Sequence, residues 1–451
     1  MNQVTDSFID MLRAAVGDEQ VITQINPLQY GSRDCYWFSP VLKRELGDKV
    51  ADVMVRPTSL AQLVQVVALA VQERIPITPR GAGTGNYGQA IPLLRGLIIS
   101  TKKLDRILDL TAEYAHVQAG VVLHAIETAA RKVGGELRFF PSTLPTATAG
   151  GFLAGGSAGV GSINWGNLWD PGNVLHATVV TVEEQPQVVT LSDPEALLAV
   201  IHNCGLTGII ADLTFALAPA QSWQQYVVAL DGFEAALRFG EALAFDEAVA
   251  KRLITVVEWP VPAYFVQLVR AGACPEGRAL VLLHLTMAPE ELEARAAQAG
   301  GRVTWHSPTA SQHRGGIELT DFSWNHTTLW AIKADEQITY LQDEFEAGRV
   351  YEQLRLRKAR YGDDIQEHIE FMKYEGRITY QGLSLVRFRS KEQLWELMDF
   401  CESIGIAIAN PHTTYLDEDS RWSGQPILDA KARWDPHTLL NPGHLRVLEN
   451  E

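Results

Sequence analysis

Cysteine is scarce in this sequence and widely spaced. The four cysteines, Cys35, Cys204, Cys274 and Cys401, are separated by 169, 70 and 127 positions. That spacing excludes a C-x-x-C redox pair, a zinc-binding cysteine cluster and an iron–sulfur cluster run. The 12 histidines also form no H-x-H, H-x-x-H or H-E-x-x-H motif. We therefore predict reduced, buried thiols and no metal site.

Long apolar runs are lacking as well. Nowhere do roughly 18 apolar residues follow one another, which is the length that indicates a membrane-spanning helix. The N-terminal segment MNQVTDSFIDMLRAAVGDEQ carries acidic residues and has no apolar core of a signal peptide. We therefore expect a cytoplasmic protein without a transmembrane segment.

Basic residues are fewer than acidic ones. The 38 lysines and arginines stand against 54 aspartates and glutamates, which gives a formal net charge of -16 at pH 7. This charge disfavours nucleic acid and anionic membrane as partners. We expect a small-molecule substrate, and the sequence leaves a homo-oligomer open. Any anionic ligand has to be held by local groups.

The 451 residues suffice for two or three domains. Between positions 52 and 220, segments with helical periodicity alternate with segments with strand periodicity. For example, apolar residues recur at helical spacing after position 59, which predicts a helix capped by Thr58 or Ser59. HATVVTVEEQPQVVTLS predicts a hairpin, EALLAVIHNCG a helix opened by Asp193 and Pro194, and IIADLTFALAP a strand. Beyond Trp223 glycine thins out, which indicates a second α+β unit. The tail, KARWDPHTLLNPGHL, predicts a helix closed by Asn-Pro-Gly.

The first glycine-rich segment, RGAGTGNYGQ at positions 80–89, contains a G-x-G-x-x-G match at Gly83, Gly85 and Gly88. A dinucleotide fingerprint needs a helix directly afterwards, and Pro92 forbids one. The nicotinamide-type interpretation is therefore rejected. Two readings remain open: an anion-binding loop whose backbone N–H groups hold a pyrophosphate, and a glycine-rich turn without a ligand.

The second glycine-rich segment, PSTLPTATAGGFLAGGSAGVG, covers positions 141–161. It has no lysine, so a phosphate-binding Walker motif is excluded. Its small residues permit the close approach of a flat or charged ligand, and a tight contact between helices would need the same residues. Two such segments about 60 positions apart favour a ligand-binding role.

These segments resemble the FAD-binding domain of the vanillyl-alcohol oxidase/p-cresol methylhydroxylase (PCMH-type) family, nearest the D-lactate dehydrogenase and glycolate oxidase branch. The similarity runs from VRPTSLAQLVQVV to LTGIIADLTFALAP and returns at KARWDPHTLLNPG. It implies an α+β fold with a two-subdomain FAD-binding domain, a separate α+β substrate (cap) domain and a C-terminal tail that returns to the flavin. The implied divisions are an N-terminal helical segment at 1–47, the FAD-binding domain at 48–220, the cap domain at 221–405 and the returning tail at 406–451.

The resemblance also implies the cofactor, FAD, and its contacts. It puts the pyrophosphate on the first loop, Ile210 against the adenine and Asn441 near the isoalloxazine. Some relatives attach the flavin through a histidine in the first loop, but Thr84 stands at that position here, so noncovalent FAD is expected. The implied contact residues are Arg80, Gly81, Ala82, Gly83, Thr84, Gly85, Pro141, Ser142, Thr146, Gly150, Gly151, Gly155, Ser157, Ile210 and Asn441.

Oxidation of a 2-hydroxy acid requires a base, often histidine, and a cation that binds the carboxylate. The sequence candidates are His326, His412 and Arg387, although a strand arginine is more often solvated or salt-bridged and a loop histidine is more often simply exposed to solvent. Relatives carry a histidine-rich metal site that this sequence lacks. His444 replaces a common lysine in the last turn, and we hypothesise that it makes the stabilisation of reduced flavin pH-dependent.

The expected function is that of an FAD-linked oxidase or dehydrogenase that transfers a hydride from a small alcohol or 2-hydroxy acid to the flavin. Oxygen, a quinone or a carrier protein would be the electron acceptor. Two alternatives stay open: a non-redox flavin enzyme of the alkylglycerone-phosphate synthase type, and a flavin-binding subunit of a glycolate oxidase-like complex.

Overall fold

The computed structural model describes residues 1–309, 316–418 and 424–448. Its secondary structure falls into three successive groups along the chain, each built on β-sheet. This mixed α+β architecture agrees with the fold class expected from the sequence. Within the described residues, no helix combines the length and the apolar character needed to cross a membrane.

The first group forms a four-stranded sheet in the order β1-β2-β4-β3, in which β2 and β3 run parallel to β4 and β1 is antiparallel to β2. The predicted helix is confirmed as α4: the Oγ of Ser59 accepts a hydrogen bond from the N–H of Gln62 at 3.2 Å and caps it. The elements are α1 (Asp6–Val16), β1 (Val21–Ile22), α2 (Ile25–Gly31), α3 (Pro40–Leu46), β2 (Val53–Val55), α4 (Leu60–Gln72), β3 (Ile77–Arg80) and β4 (Leu97–Ser100).

The second group is an antiparallel sheet in the order β5-β6-β10-β8-β9, with β7 paired to β10. The predicted hairpin is confirmed, because β8 pairs with β9. The helix predicted after Asp193 is much shorter than expected and ends at Leu197. The elements are β5 (Ile107–Leu110), β6 (Tyr114–Gln118), α5 (Leu123–Lys132), β7 (Gly135–Leu137), α6 (Ala149–Gly155), α7 (Ser162–Trp165), β8 (Val174–Val180), β9 (Val188–Leu191), α8 (Pro194–Leu197) and β10 (Ile209–Pro219).

Strand β10, predicted with these bounds, contains an irregularity near its start. Ile210 lies opposite Val179 of β8, yet Asp212 lies opposite Thr178, so Ala211 is an extra residue in β10. Such a bulge breaks the alternation of side chains along a strand. Ile210 and Asp212, two positions apart, therefore point to opposite faces of the sheet.

The third group contains an antiparallel sheet of eight strands, β14-β11-β13-β12-β18-β19-β16-β21, and a smaller sheet, β15-β20-β17. The elements are β11 (Gln224–Leu230), α9 (Phe233–Phe245), β12 (Lys251–Val257), α10 (Val266–Arg270), β13 (Ala279–Leu285), α11 (Pro289–Gln298), β14 (Arg302–Ser307), α12 (Asn325–Ala334), β15 (Ile338–Tyr340), β16 (Asp343–Phe345), α13 (Val350–Tyr361), β17 (Ile365–Gln366), β18 (His368–Tyr374), β19 (Arg377–Gly382), β20 (Leu385–Arg387), α14 (Lys391–Ser403), β21 (Ala407–Ile408) and α15 (Gln425–Trp434).

A buried ion cluster ties helix α13 to this third group. The guanidinium of Arg357, with no exposed side-chain surface, lies 2.8 Å from a carboxylate oxygen of Asp343 and also pairs with Glu367. The hydroxyl of Ser384 also accepts a hydrogen bond from the same guanidinium, at 2.9 Å. A buried cation with two carboxylate partners stabilises the packing of α13 because removing it would leave both acids unpaired.

The tail corrects one expectation. Helix α15 ends at Trp434, before the Asn-Pro-Gly sequence, because both carboxylate oxygens of Asp435 accept backbone N–H groups from Leu439 and Leu440. The chain then meets the first sheet: the N–H of Ile77 donates to Leu439 at 2.7 Å, and the N–H of Asn441 donates to Ile77 at 2.6 Å. The end of the described chain therefore joins the edge of β3.

Apolar packing is continuous between the groups. One core cluster contains Val117 and Leu213 of the second sheet together with Leu253 and Leu282 of the eight-stranded sheet. A separate cluster joins the first sheet to Ile209 at the start of β10. The start of β10 is therefore where the first two sheets meet.

Candidate cofactor-binding site

A cavity lies where the first two sheets meet. Its walls come from the loop after β3, from helix α6 and from the loop that leads into β10. Ten of the fifteen residues expected to bind the cofactor line it: Arg80, Gly81, Ala82, Gly83, Thr84, Gly85, Gly150, Gly151, Gly155 and Ile210. The structure thus brings both glycine-rich segments into one cavity.

The first loop presents unsatisfied donors to this cavity. Within the described part of the chain, none of the five backbone N–H groups from Gly81 to Gly85 donates a hydrogen bond. Gly83 has a φ of 69°, in the left-handed region that allows successive N–H groups to converge. Because native backbone donors are normally satisfied when enclosed, this row of N–H groups fits an anionic ligand.

Arg80 adds a cation at the entry to the same loop. Its Nη2 donates to the carbonyl oxygen of Arg33 at 2.5 Å, while its Nη1 is buried and has no hydrogen-bond partner among the described residues. Burial lowers the pKa of Arg80, and the nearby carboxyl of Asp34 opposes that effect. A buried guanidinium with a free donor beside five free N–H groups forms a site for a phosphate group.

Asp34 also lines the cavity and was not identified from the sequence. Its Oδ1 accepts the N–H of Tyr36 at 2.8 Å, and the carboxyl also faces the backbone N–H groups of Gly88 and Ala90. Burial raises the pKa of this carboxyl to about 7, although the Tyr36 N–H and Arg80 both lower it. A carboxyl that titrates near neutral pH inside a cavity is a candidate functional group.

The opposite wall has no room for side chains. A Cβ on Gly150 would lie 2.6 Å from the Cβ of Ala119, and a Cβ on Gly81 would overlap the hydroxyl of Thr148. Thr148 caps helix α6, since its Oγ1 accepts the N–H of Gly151 at 3.3 Å. Glycine at these positions therefore keeps two backbone segments close together around the cavity.

Asn441 stands directly behind the cavity wall. Its side-chain nitrogen donates to the carbonyl oxygens of Gln89 at 2.8 Å and Cys204 at 2.6 Å, and both of those residues line the cavity. Its Oδ1 is buried with no partner in the described residues. The remaining expected contacts, Pro141, Ser142, Thr146 and Ser157, belong to the second segment but are not among the residues that line this cavity.

The three residues predicted to be catalytic surround strand β15 without converging on one point. Helix α12, which carries His326, packs against β15, and Arg387 lies opposite Ile338 of that strand. His412 contacts the carbonyl oxygen of Tyr340 through Nε2 at 2.9 Å. Strand β15 in turn reaches the first glycine loop, because the hydroxyl of Tyr340 accepts a hydrogen bond from Asn86 at 2.6 Å.

The three predicted catalytic residues differ in burial and in their polar partners. The imidazole of His412 is buried, its second nitrogen lies 2.8 Å from the Oγ of Ser39, and burial lowers its pKa to about 4. Arg387 is more exposed and pairs with Asp335 at 3.1 Å. His326 keeps 17% of its side chain exposed, with Nδ1 3.7 Å from a carboxylate oxygen of Asp321.

The hypothesis that His444 makes the stabilisation of reduced flavin pH-dependent requires an imidazole that gains a proton near pH 6. The structure contradicts this requirement. Its Nδ1 lies 3.0 Å from the carbonyl oxygen of Thr414, and burial lowers its pKa to about 4. The imidazole is therefore neutral at pH 6 and above. A pH-dependent charge at this position near pH 6 is not supported.

The cavity fits FAD on several independent grounds. The free N–H groups of Gly81–Gly85 and the free Nη1 of Arg80 match a pyrophosphate, and the side-chain-free wall at Gly150 and Gly151 suits a closely packed cofactor.

Comparisons with known proteins point to the same cofactor. Residues 51–191 match the family model FAD_binding_4, described as an FAD binding domain. A D-lactate dehydrogenase of Anaerostipes hadrus is 31% identical over 176 residues, which are 38% of this chain and 37% of that protein. The glycolate oxidase subunit GlcD of Escherichia coli (strain K12) is 27% identical over 201 residues, 43% of this chain and 40% of the subunit. The aligned regions thus span about two fifths of each of these relatives.

A D-2-hydroxyglutarate dehydrogenase of Escherichia coli (strain K12) is 33% identical over 156 residues, 32% of this chain and 15% of that protein. Among solved structures, an alkyldihydroxyacetonephosphate synthase superposes with a TM-score of 0.72 at 15% identity, covering 98% of this chain and 86% of that one. This second likeness concerns the fold. Together with the cavity, these matches show that residues 51–191 carry an FAD-binding domain and that FAD is the cofactor.

Proposed function

We propose that the protein is an FAD-dependent oxidoreductase that oxidises a small alcohol or a 2-hydroxy acid. The observation that carries the proposal is the row of free N–H groups at Gly81–Gly85 beside the free Nη1 of Arg80 in the cavity. The relatives named as dehydrogenases of D-lactate and D-2-hydroxyglutarate support this reaction class.

The chain's own residues would hold the cofactor without a covalent bond. The first loop and Arg80 bind the pyrophosphate, Ile210 packs against the adenine, and Asn441 supports the wall near the isoalloxazine. Position 84 in the first loop is a threonine, which offers no imidazole for attachment. When bound, FAD supplies the hydride acceptor. Acid precipitation should therefore release all yellow colour into the supernatant; colour that stays in the pellet would contradict noncovalent binding.

The substrate proton requires an acceptor on the protein. Of the three sequence candidates, His326 is best placed: its ring is partly accessible, Asp321 lies 3.7 Å from its Nδ1, and α12 packs against residues Tyr36–Phe38, next to Asp34. We assign His412, with both nitrogens occupied, to positioning Tyr340. Arg387 could bind a substrate carboxylate after exchanging its partner Asp335.

The eight-stranded sheet, apart from β21, and its helices are proposed to form the substrate domain, at 221–405. Support comes from two links between this unit and the first glycine loop, Asn86 to Tyr340 and Tyr87 to Gln342. The tail from 406 onward would complete the flavin site through Asn441. The electron acceptor would be oxygen, a quinone or a carrier protein.

Anaerobic mixing with candidate substrates tests the reaction class. D-lactate, glycolate and D-2-hydroxyglutarate are added separately to the oxygen-free holoprotein while the oxidised-flavin absorption is followed, with L-lactate as the stereochemical control. A panel of alcohols, sugars and aldehydes is added in the same way. Loss of absorption with one hydroxy acid or alcohol supports the proposal. Unchanged absorption with the whole panel contradicts it and favours a non-redox flavin enzyme or a flavin-binding subunit.

A matched pair of variants tests the proton acceptor. His326→Gln should slow flavin reduction by about 100-fold or more, the usual contribution of a general base. His306→Gln is the control, because His306 lies at the exposed edge strand β14 and contacts Gln224. Equal reduction rates in both variants would exclude His326 as the proton acceptor.

A further inference from the structure

Three metal-binding side chains meet on the face of the second sheet that turns away from the cofactor cavity. His116 lies on β6, Asp212 on β10 and His176 on β8, and these strands are neighbours in the sheet. Their side chains are 31%, 17% and 24% exposed, respectively. The cluster is thus partly enclosed and still open to solvent.

Strand register brings these residues together. Thr214 of β10 lies opposite His116 on one side and opposite His176 on the other, so the three side chains share one face. Asp212 stands two positions before Thr214 on the same strand and therefore projects from that face as well. The bulge at Ala211 directs Ile210 to the other face, into the cavity.

The distances suit coordination of one ion. The Nε2 of His116 lies 2.9 Å from the Oδ1 of Asp212, and the Nδ1 of His176 lies 3.7 Å from the same oxygen. One ligand atom from each residue falls within 4.8 Å of the others. Ligands bound tetrahedrally to zinc at about 2.0–2.1 Å stand about 3.3–3.4 Å apart, so small ring movements would complete the site.

The Nδ1 of His176 lacks a hydrogen bond. This nitrogen is buried and has no hydrogen-bond partner within the described residues, although it faces the carboxylate of Asp212. The other ring nitrogen lies 3.3 Å from the hydroxyl of Thr178, the kind of outer contact that orients a ligating imidazole.

We propose that His116, His176 and Asp212 bind a divalent transition-metal ion such as Zn²⁺. Two imidazoles and one carboxylate favour zinc and similar ions over magnesium or calcium, which prefer oxygen ligands. The ion would join three adjacent strands and keep at least one position open for water. This site is independent of the proposed oxidation reaction, because it lies on the opposite face of β10 from the cavity.

Calorimetric titration with Zn²⁺ tests the proposal on the untagged holoprotein after removal of metals by a chelator. Wild type should bind one equivalent, and His176→Ala and Asp212→Asn should each weaken that binding by about 100-fold or more. Asp212→Asn preserves the side-chain shape, and flavin content measured for each variant verifies the fold.

His437→Ala is the matched control. His437 also pairs with a carboxylate, its Nε2 lying 2.8 Å from Glu184, and its side chain is 30% exposed, but no second imidazole faces it in the described structure. Its zinc binding should equal that of wild type. The proposal is overturned if wild type binds no Zn²⁺, if His176→Ala or Asp212→Asn binds as tightly as wild type, or if His437→Ala loses the same site.

Discussion

The affinity for FAD should depend on pH through one carboxyl group, that of Asp34. This side chain lines the cavity beside Arg80, and burial raises its pKa to about 7. The carboxyl is neutral below that pH and negative above it. A negative charge in a cavity that holds a pyrophosphate opposes binding, so FAD affinity should fall as the pH rises through 7.

The size of the change in the Kd for FAD follows from the ionisation of one group, the Asp34 carboxyl. If the neutral form binds FAD much more tightly, the apparent Kd scales with one plus the ratio of ionised to neutral carboxyl. For a pKa of about 7, this factor is about 1.1 at pH 6 and about 100 at pH 9, so the Kd should rise by up to roughly 90-fold. Cys204 also lines the cavity, but burial raises its pKa to about 12, so it stays a neutral thiol over this range.

The variant Asp34→Asn tests whether ionisation of Asp34 causes the pH dependence of the Kd for FAD. Asparagine keeps an oxygen that can accept the Tyr36 N–H and cannot ionise. Fluorescence titration of the apoprotein with FAD at pH 6, 7, 8 and 9 gives the Kd for both proteins. The variant should show a nearly constant Kd. A wild-type Kd that does not change with pH, or a variant that keeps the wild-type slope, would refute the reasoning.

Three further predictions concern packing and charge. Gly81→Ala should lower flavin content and the melting temperature, because its Cβ would overlap the Thr148 hydroxyl. A Cβ on Gly155 meets its nearest protein atom at 3.8 Å, so Gly155→Ala should lower the melting temperature less. Arg80→Gln should weaken FAD binding by about 10- to 150-fold, because a hydrogen bond to a charged group contributes about 1.5–3 kcal/mol. The same fluorescence titration measures this change. Arg357→Met should destabilise the protein by about 3–5 kcal/mol, seen as a lower melting temperature with unchanged flavin spectrum, because it leaves two buried carboxylates unpaired.

Local signals predicted the elements around the cofactor well. The apolar spacing and the Ser59 cap identified α4, and the strand predicted over IIADLTFALAP matches the observed bounds of β10. The first loop could be recognised from glycine spacing and from Pro92, which rules out a following helix. These features depend on neighbouring residues, so the sequence alone is sufficient for them.

Features that depend on distant contacts could not be predicted in this way. Asp34 is an ordinary loop acid in the sequence, and its raised pKa arises from burial by the loop that begins 46 positions later at Arg80. His116, His176 and Asp212 are separated by 60 and 36 positions, and only the register of three strands brings them together. A search for closely spaced histidines therefore misses them.

Strand β10 shows how one local irregularity separates two kinds of chemistry. Regular alternation would place Ile210 and Asp212 on one face, so that either an acid would enter the cofactor cavity or an apolar side chain would enter the polar outer face. The extra residue Ala211 prevents both outcomes. It leaves the cavity wall apolar at Ile210, the residue proposed to pack against the adenine. It also places the Asp212 carboxylate beside two imidazoles, where its charge is compensated when a cation is bound. The bulge thus keeps the Asp212 carboxylate out of the cavity and Ile210 out of the polar outer face.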